Sequence, residues 1–333
     1  LKELSAMRPD RRRWAPRVSA PTQEELAERD APGARIPSAA HRLLVRGLAD
    51  GPVLVQVARA GYLPGLACAD CRGPARCGAC HGPLGLAANQ TMACGWCGRP
   101  EPAFRCPRCA GTRVRSRAVG SARTAEELGR AFPGTVIVHS SAEGPRGVVD
   151  RIGPDPVLVV ATPGAEPEAA GGYAAAALLD GWAATGSAGL DGGIDALTRW
   201  LGAAALVRPA ERGGATILVG GPDPAGAGAL VRWDPAGYAL RDLAERTHLK
   251  LPPTVRMVSV SGAREAVAAF LDGADLPGPS EVLGPMDDGD GVRALIRTDL
   301  SHARELLVAV RTARAGYTAR RGAPIRVQVD PTL

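Results

Sequence analysis

Lysine is nearly missing from this sequence: Lys2 and Lys250 are the only two, and the other 38 cations are arginine. The skew accompanies an abundance of Ala, Gly and Pro and reads as GC-rich coding rather than selection for bidentate phosphate contacts. Aromatic residues make up only 4%. The longest apolar run, around Tyr173–Leu179, stops at Asp180 and Gly181, short of the roughly 18 residues of a membrane span. The charged opening LKELSAMRPDRRRW has no signal-peptide pattern, and Leu1 in place of Met suggests a chain that begins inside a longer protein. No Gly-x-x-x-x-Gly-Lys-[Ser/Thr] phosphate loop occurs. Cysteine is absent outside one window.

Within that window stand all 8 cysteines, as Cys-x-x-Cys pairs: Cys68/Cys71, Cys77/Cys80, Cys94/Cys97 and Cys106/Cys109. Eight thiolates match two tetrahedral Cys₄ zinc sites. With no sign of secretion, a reducing cytoplasmic setting fits, where paired cysteines read as metal ligands rather than disulfides. A redox motif usually comes singly beside a helix, and iron–sulfur ligation is the remaining competitor; structural zinc is the reading adopted. His81, next to Cys80, reads as a surface residue. Three ways of sharing two metals remain open: adjacent pairs, crossed pairs, or a nested arrangement in which the second and third pairs lie inside the first and fourth. Adjacent pairing leaves only 5 residues between Cys71 and Cys77, which is tight, and spacing leans modestly toward nesting.

The net charge is +6 and the pI near 9.1, which favours an anionic partner without demanding one. Two zinc tetrathiolates together carry about −4, so the effective charge falls to about +2. The window is therefore not a strongly basic DNA clamp, and Trp96 and Phe104 read as a miniature core rather than base-stacking platforms.

At 333 residues the chain should hold two or three domains. Residues 1–37 read as an irregular lead-in. Ser38 caps a helix to about residue 49, followed by a strand at 52–58. Beyond the cysteine window come a helix near 124–132 with Thr124 and Glu127 at capping-box spacing, strands at 135–139 and 157–162, an apolar run at 173–179, a helix near 192–206 and a strand at 215–220. This alternation argues a mostly parallel α/β unit. From Pro235 the pattern changes: a helix near 236–249, then strand 254–260, helix 262–272, strands 280–284 and 291–297, helix 301–314 and strand 324–329. That is β-α-β-β-α-β, the ferredoxin-like order.

The run VARAGYLPGLACADCRGPARCGACHGPL, continuing through CGWCGRPEPAFRCPRCAG, resembles the zinc-binding insertion of the PriA family of primosomal replication-restart proteins. There an NRRGY-like strand end, matched by Ala58, Arg59, Ala60, Gly61 and Tyr62, precedes the cysteine pairs. The stretches AVGSARTAEELGRAFPG, WDPAGYALRDLAERTHLKLPP, EVLGP at 281–285 and IRVQVDP at 325–331 extend the likeness over residues 38–333. The resemblance implies nested zinc sites, Cys68/Cys71/Cys106/Cys109 and Cys77/Cys80/Cys94/Cys97. It implies a RecA-like second helicase lobe over 1–66 and 113–232, a zinc insertion over 67–112 and a ferredoxin-like C-terminal domain over 233–333. Expected partners are DNA at abandoned replication forks and D-loops, primosome proteins, single-stranded-DNA-binding protein and an N-terminal half of the same polypeptide. The expected location is cytoplasmic, with the nucleoid.

The motor residues of that family are missing. Where its Gly-Thr-Gln…Ala-Lys-Gly loop belongs, the chain reads VATPGAEPEAAGG, with Glu166 at the lysine and Pro167 at the glycine. The Gly-Arg-Ala-Gly-Arg motif is replaced by LGAAALVRPAERGG: Leu206 and Pro209 fall near the two arginines, and Arg208 lies out of register. Such arginines contribute on the order of 10³-fold or more to phosphoryl transfer. The expectation is a helicase-deficient member that binds forks and assembles primosome components without using ATP. The alternative is a divergent but working 3′→5′ DNA helicase, and a third reading is a zinc-stabilised scaffold without DNA affinity.

Other groups read as bland. The five histidines, His41, His81, His139, His248 and His302, show no nucleophile pattern. Asp287, Asp288 and Asp290 read as a solvated turn. Arg311, Arg314, Arg320 and Arg321 are either a phosphate-contacting face or cations at a helix C-terminus. Arg293 matches a family arginine involved in tail binding of the single-stranded-DNA-binding protein, but Leu295 stands at its glutamine partner.

Overall fold

Successive side chains on a strand point to opposite faces, so a strand that is apolar at every position must be covered on both sides. Leu158–Ala161 and Ala175–Leu178 are of that kind, and Val53–Gln56 and Ala215–Leu218 come close, with one polar residue each. In a computed structural model, which describes residues 13–30, 36–57, 66–70, 74–86, 91–94, 98–116, 121–182, 189–288 and 291–331, they lie in one parallel sheet. The chain divides into two compact units, Leu1–Tyr238 and Ala239–Leu333.

The first unit runs β1 (Arg17–Ser19), α1 (Gln23–Ala27), α2 (Ser38–Asp50), β2 (Val53–Gln56), β3 (Leu66–Cys68), β4 (Leu84–Leu86), β5 (Met92–Cys94), β6 (Val114–Ser116), α3 (Ser121–Ala131), β7 (Ile137–Ser140), β8 (Arg151–Ile152), β9 (Leu158–Ala161), β10 (Glu168–Ala169), β11 (Ala175–Leu178), α4 (Gly192–Ala205), β12 (Ala215–Leu218) and α5 (Pro224–Arg232). The dividing point falls within α6 (Pro235–Leu249). Six strands form the parallel sheet in the order β1-β12-β11-β2-β9-β7.

Alternation sorts the side chains. Leu54, Val159, Ala176, Leu178 and Leu218 face a core with Tyr173, Leu197, Trp200 and Leu230. Val53, Val55, Leu158, Val160, Ala175, Ala177 and Ile217 face another with Leu44, Leu128 and Phe132. Each large side chain fully buried this way contributes about 1.5–3 kcal/mol. The alanines of β11 admit close helix packing: a Cβ on Gly47 of α2 would meet Ala175 Cβ and Val53 Cγ1, each at 2.7 Å. Gly47 is therefore a contact point between helix and sheet.

Several sequence expectations change. The lead-in is not irregular throughout, because Arg17–Ser19 adds an edge strand beside β12 and Thr22 with Glu25 forms a capping box on α1. Ser38 is inside α2 rather than its cap; Pro37 takes that place, and the Ser38 N–H donates to Asp30 Oδ1 at 2.9 Å. The α3 helix begins at Ser121, so Thr124 is a buried interior residue rather than a cap. Helix α5 was not foreseen. Its PAGAGALVR sequence has no strong apolar period, and it starts instead on Asp223, whose carboxylate accepts the Gly226 N–H, with Pro in the first turn.

The second unit continues from α6 with β13 (Val255–Gly262), α7 (Arg264–Asp272), β14 (Glu281–Asp288), β15 (Gly291–Asp299), α8 (Ala303–Ala319) and β16 (Ile325–Val329). This is the β-α-β-β-α-β succession read from the sequence. Its sheet has the order β14-β15-β13-β16, antiparallel throughout. Val258, Val260, Ala294 and Ile296 pack against Val267, Phe270, Leu306 and Val310 of the two helices. Among the described residues no helix is long and apolar enough to cross a membrane.

Candidate metal centres

Between β2 and α3 two small antiparallel ribbons, β3–β6 and β4–β5, carry the cysteines. Cys68 ends β3 and Cys94 ends β5. The structure gathers Cys68, Cys106 and Cys109 in one group, and Cys77, Cys80 and Cys94 in a second, with each group's sulfurs within 4.8 Å of one another. Cys71 and Cys97, together with Ala58–Tyr62, Trp96 and Asp290, lie outside the described residues. Sγ of Cys68 and Cys109 are 3.5 Å apart, and those of Cys80 and Cys94 3.4 Å apart. A tetrahedral zinc with roughly 2.3 Å bonds sets its sulfurs ~3.8 Å apart, while a disulfide needs about 2.05 Å. Each group thus fits a metal and is too open for a disulfide.

The turns repeat one geometry. The N–H of the residue after each second cysteine returns to the carbonyl of the first: His81 to Cys77 at 3.0 Å, Gly98 to Cys94 at 3.0 Å, Ala110 to Cys106 at 2.9 Å. These three residues have φ of 60°, 68° and 58°. One position on, the carbonyls of Gly82, Arg99 and Gly111 accept the N–H of Cys77, Cys94 and Cys106, each at 2.9 Å. Backbone donors then reach sulfur, Ala79 N to Cys77 Sγ and Gly82 N to Cys80 Sγ at 3.4 Å each, an arrangement that stabilises thiolate charge. His81 is exposed and serves the turn. A Cβ on Gly111 would strike the Asp70 carboxylate, which Arg113 holds at 2.7 Å.

Six positions after the first cysteine of three pairs stand Pro74, Pro83 and Pro100, each bridged to the residue before that cysteine: Ala67, Arg76 and Ala93. This proline period runs beside the cysteine spacing and is a sequence signal of the knuckle turns in its own right. Phe104, 5% exposed, packs with Leu66, Ala75 and Leu84 among the cysteines, the miniature-core role expected of it.

At the carboxyl ends of the parallel strands, where open α/β sheets take ligands, the residues bind one another. Gln56 Nε2 donates to Glu166 Oε1 at 2.6 Å, and Gly164 N donates to Oε2 at 2.8 Å. Tyr173, fully buried, donates its hydroxyl to the Pro167 carbonyl at 2.8 Å; burial, then the charge of Glu166, pushes its phenol well above the usual range. At the opposite, amino-terminal ends of β2, β11 and β12, Arg208 donates from Nε to the carbonyls of Gly171 and Gly172, and from Nη1 to that of Asp50. Leu206 closes α4, and its carbonyl accepts the Tyr173 N–H.

His139 Nε2 lies 2.9 Å from Ser121 Oγ and 3.2 Å from Ser141 Oγ, a juxtaposition the sequence spacing did not disclose. Both hydroxyls share one nitrogen, and no carboxylate bonds the ring among the described residues. The described contacts thus do not make up a nucleophile–base–acid relay. Asp287 and Asp288 are not a free turn: they end β14 and pair with Arg264 and Arg293 at 2.8 Å each. Leu295 is buried with Val255 and Met257. Arg311 and Arg314 are exposed within α8, which continues to Ala319, so only Arg320 and Arg321 flank its C-terminus.

Residues 247–332 match the family model described as the primosomal protein N C-terminal domain. Over 356 residues the chain is 42% identical to the "Probable replication restart protein PriA" of Mycobacterium tuberculosis and to that of Mycobacterium bovis, covering 99% of this chain and 54% of each relative. The Mycobacterium leprae protein of the same name is 44% identical over 337 residues, covering 95% of this chain and 51% of the relative. The chain spans about half the length of the curated relatives it matches.

Proposed function

This chain is a relative of the PriA replication-restart proteins along nearly its whole length, and on that premise we propose that it serves replication restart as a fork-recognition and primosome-assembly part without motor activity. Residues 1–66 and 113–232 act as a degenerate RecA-like lobe, 67–112 as a two-zinc insertion and 233–333 as a ferredoxin-like domain. The six-stranded parallel sheet and the β14-β15-β13-β16 order support those assignments.

The observation that carries the reading is a contrast within one unit. The cysteines are gathered at metal-binding distances, whereas Glu166 and Arg208, the groups nearest the lost motor positions, are bound to this chain's own amides and carbonyls. Cys68, Cys71, Cys106 and Cys109 hold one zinc and Cys77, Cys80, Cys94 and Cys97 the other. Zinc here supplies tetrahedral cross-linking alone. The protein's part is to present deprotonated sulfurs, orient them through the knuckle N–H groups, and cover them with Phe104, Leu66 and Leu84.

DNA-stimulated ATP hydrolysis by the full-length protein tests the reading. No turnover above background is expected; robust turnover abolished by Arg208→Ala would establish the 3′→5′ helicase instead. Salt-dependent binding should favour forked DNA over plain duplex, and equal affinity for the two would leave only a scaffold.

A further inference from the structure

Among the described residues, the two cysteine groups differ in access. Cys109 is exposed while its neighbours Cys68 and Cys106 are buried; in the other group Cys77 and Cys94 are buried and Cys80 is half-buried. Pro107, Arg108 and Ala110 around Cys109 are exposed as well, so this stretch of the knuckle faces solvent. Oxidation of cysteine follows thiolate character and access, and a metal-bound sulfur stays a thiolate. Cys68 Sγ lies 3.5 Å from Cys109 Sγ. Cys68 is moreover fixed in the β3–β6 ribbon, paired with Val114, so little backbone travel separates the two sulfurs from bonding distance.

We propose that the Cys68–Cys106–Cys109 group is a hydroperoxide-responsive metal-release site, with Cys109 as the reacting thiolate and Cys68 as the residue that resolves it. This rests on the reading that each group holds zinc. The Cys109 sulfur attacks one peroxide oxygen; the O–O bond breaks, a sulfenic acid forms, and the departing oxygen leaves as water or an alcohol after taking a proton. The Cys68 thiolate then attacks the Cys109 sulfur, the S–S bond forms, and the hydroxide expelled is protonated to water. Two thiolates are oxidised by two electrons, and one hydroperoxide is reduced by two electrons with two protons. With two of its thiolates joined in a disulfide, the site would no longer hold its zinc. The ribbon stays closed because a covalent bridge stands where the metal stood, and the second group keeps its ion. A dithiol reductant with added zinc reverses the change.

The zinc-loaded full chain, treated with hydrogen peroxide beside a chromogenic chelator and then mapped for disulfides, tests this. Metal should leave in two phases, the first accompanied by a Cys68–Cys109 disulfide while Cys77, Cys80 and Cys94 remain thiols. Cys109→His retains a nitrogen ligand acceptable to zinc and should lose the fast phase while keeping its metal. Release in a single phase, a first disulfide lacking Cys109, or one within the second group would overturn the proposal. If the histidine variant holds no metal, the disulfide map of the unsubstituted chain decides. A chain carrying no zinc before peroxide is added would instead refute the zinc reading itself.

Discussion

Gln56 Nε2 donates to Glu166 Oε1 across 2.6 Å, tying the end of the interior strand β2 to the loop after β9. Gln56 is 4% exposed, so its amide depends on partners within the protein, and the second carboxylate oxygen caps Gly164. A buried donor left without its acceptor costs about 1–3 kcal/mol. Glu166→Ala should destabilise the chain by that order in urea. A double-mutant cycle with Gln56→Leu should return a coupling on the order of 1 kcal/mol. Strict additivity would show that the contact is idle.

Arg208 fastens three carbonyls, those of Asp50, Gly171 and Gly172. Arg208→Ala should lower stability by about 1.5–3 kcal/mol, the range for hydrogen bonds to a charged group, and Arg208→Lys should recover only part, having no planar fork. The check is the urea midpoint at unchanged slope.

Metal removal should act locally. The knuckle core consists of cysteines with Leu66, Ala75, Leu84 and Phe104, too few apolar groups to hold without cross-links. A chelator should raise amide exchange over residues 66–116 and leave the β2, β9 and β11 amides protected. Phe104→Ala should cost about 3–5 kcal/mol of that module's stability and speed metal loss. Uniform exchange across the first unit after chelation would contradict the idea.

Glu281 is held well below the usual carboxylate range, to about 2, first by its hydrogen bond from Lys250 and then by Arg297. A depressed carboxylate adds stability that is present above its unfolded value and vanishes as pH falls through the folded one. Glu281→Gln should therefore lower the melting temperature at pH 6, with the difference closing between about pH 4.5 and about pH 2. The group is solvent-exposed, so the effect should also shrink in high salt.

Most of the architecture was legible because β2, β9, β11 and β12 are apolar on both faces and alternate with helices. The second unit followed from period alone, with helix α8 running further, to Ala319. Illegible elements were those held by single contacts. Three residues make β1 a strand only because β12 offers an edge, and α5, though it buries Ala227, Ala229 and Leu230, is announced locally only by Asp223 and Pro224. The gathering of cysteines followed from their types and spacing. The Gln56–Glu166 pair, separated by 110 positions, left no trace in any local pattern, nor did His139 with its two serines.

Pro74, Pro83 and Pro100 bear on how so small a module avoids sticking to copies of itself. Each proline sits opposite the residue before a cysteine in an antiparallel bridge, where its nitrogen points away from the partner strand. At Pro74 and Pro100, both exposed, a different residue would offer an outward N–H, an invitation to a foreign strand; Pro83 instead adjoins β4, which β5 already pairs. Proline withdraws that N–H, and ribbons of three residues with blocked outer rims are poor templates for growth. At those two rims the imino acid thus removes the donor that would let the knuckle's short ribbons grow into an intermolecular sheet.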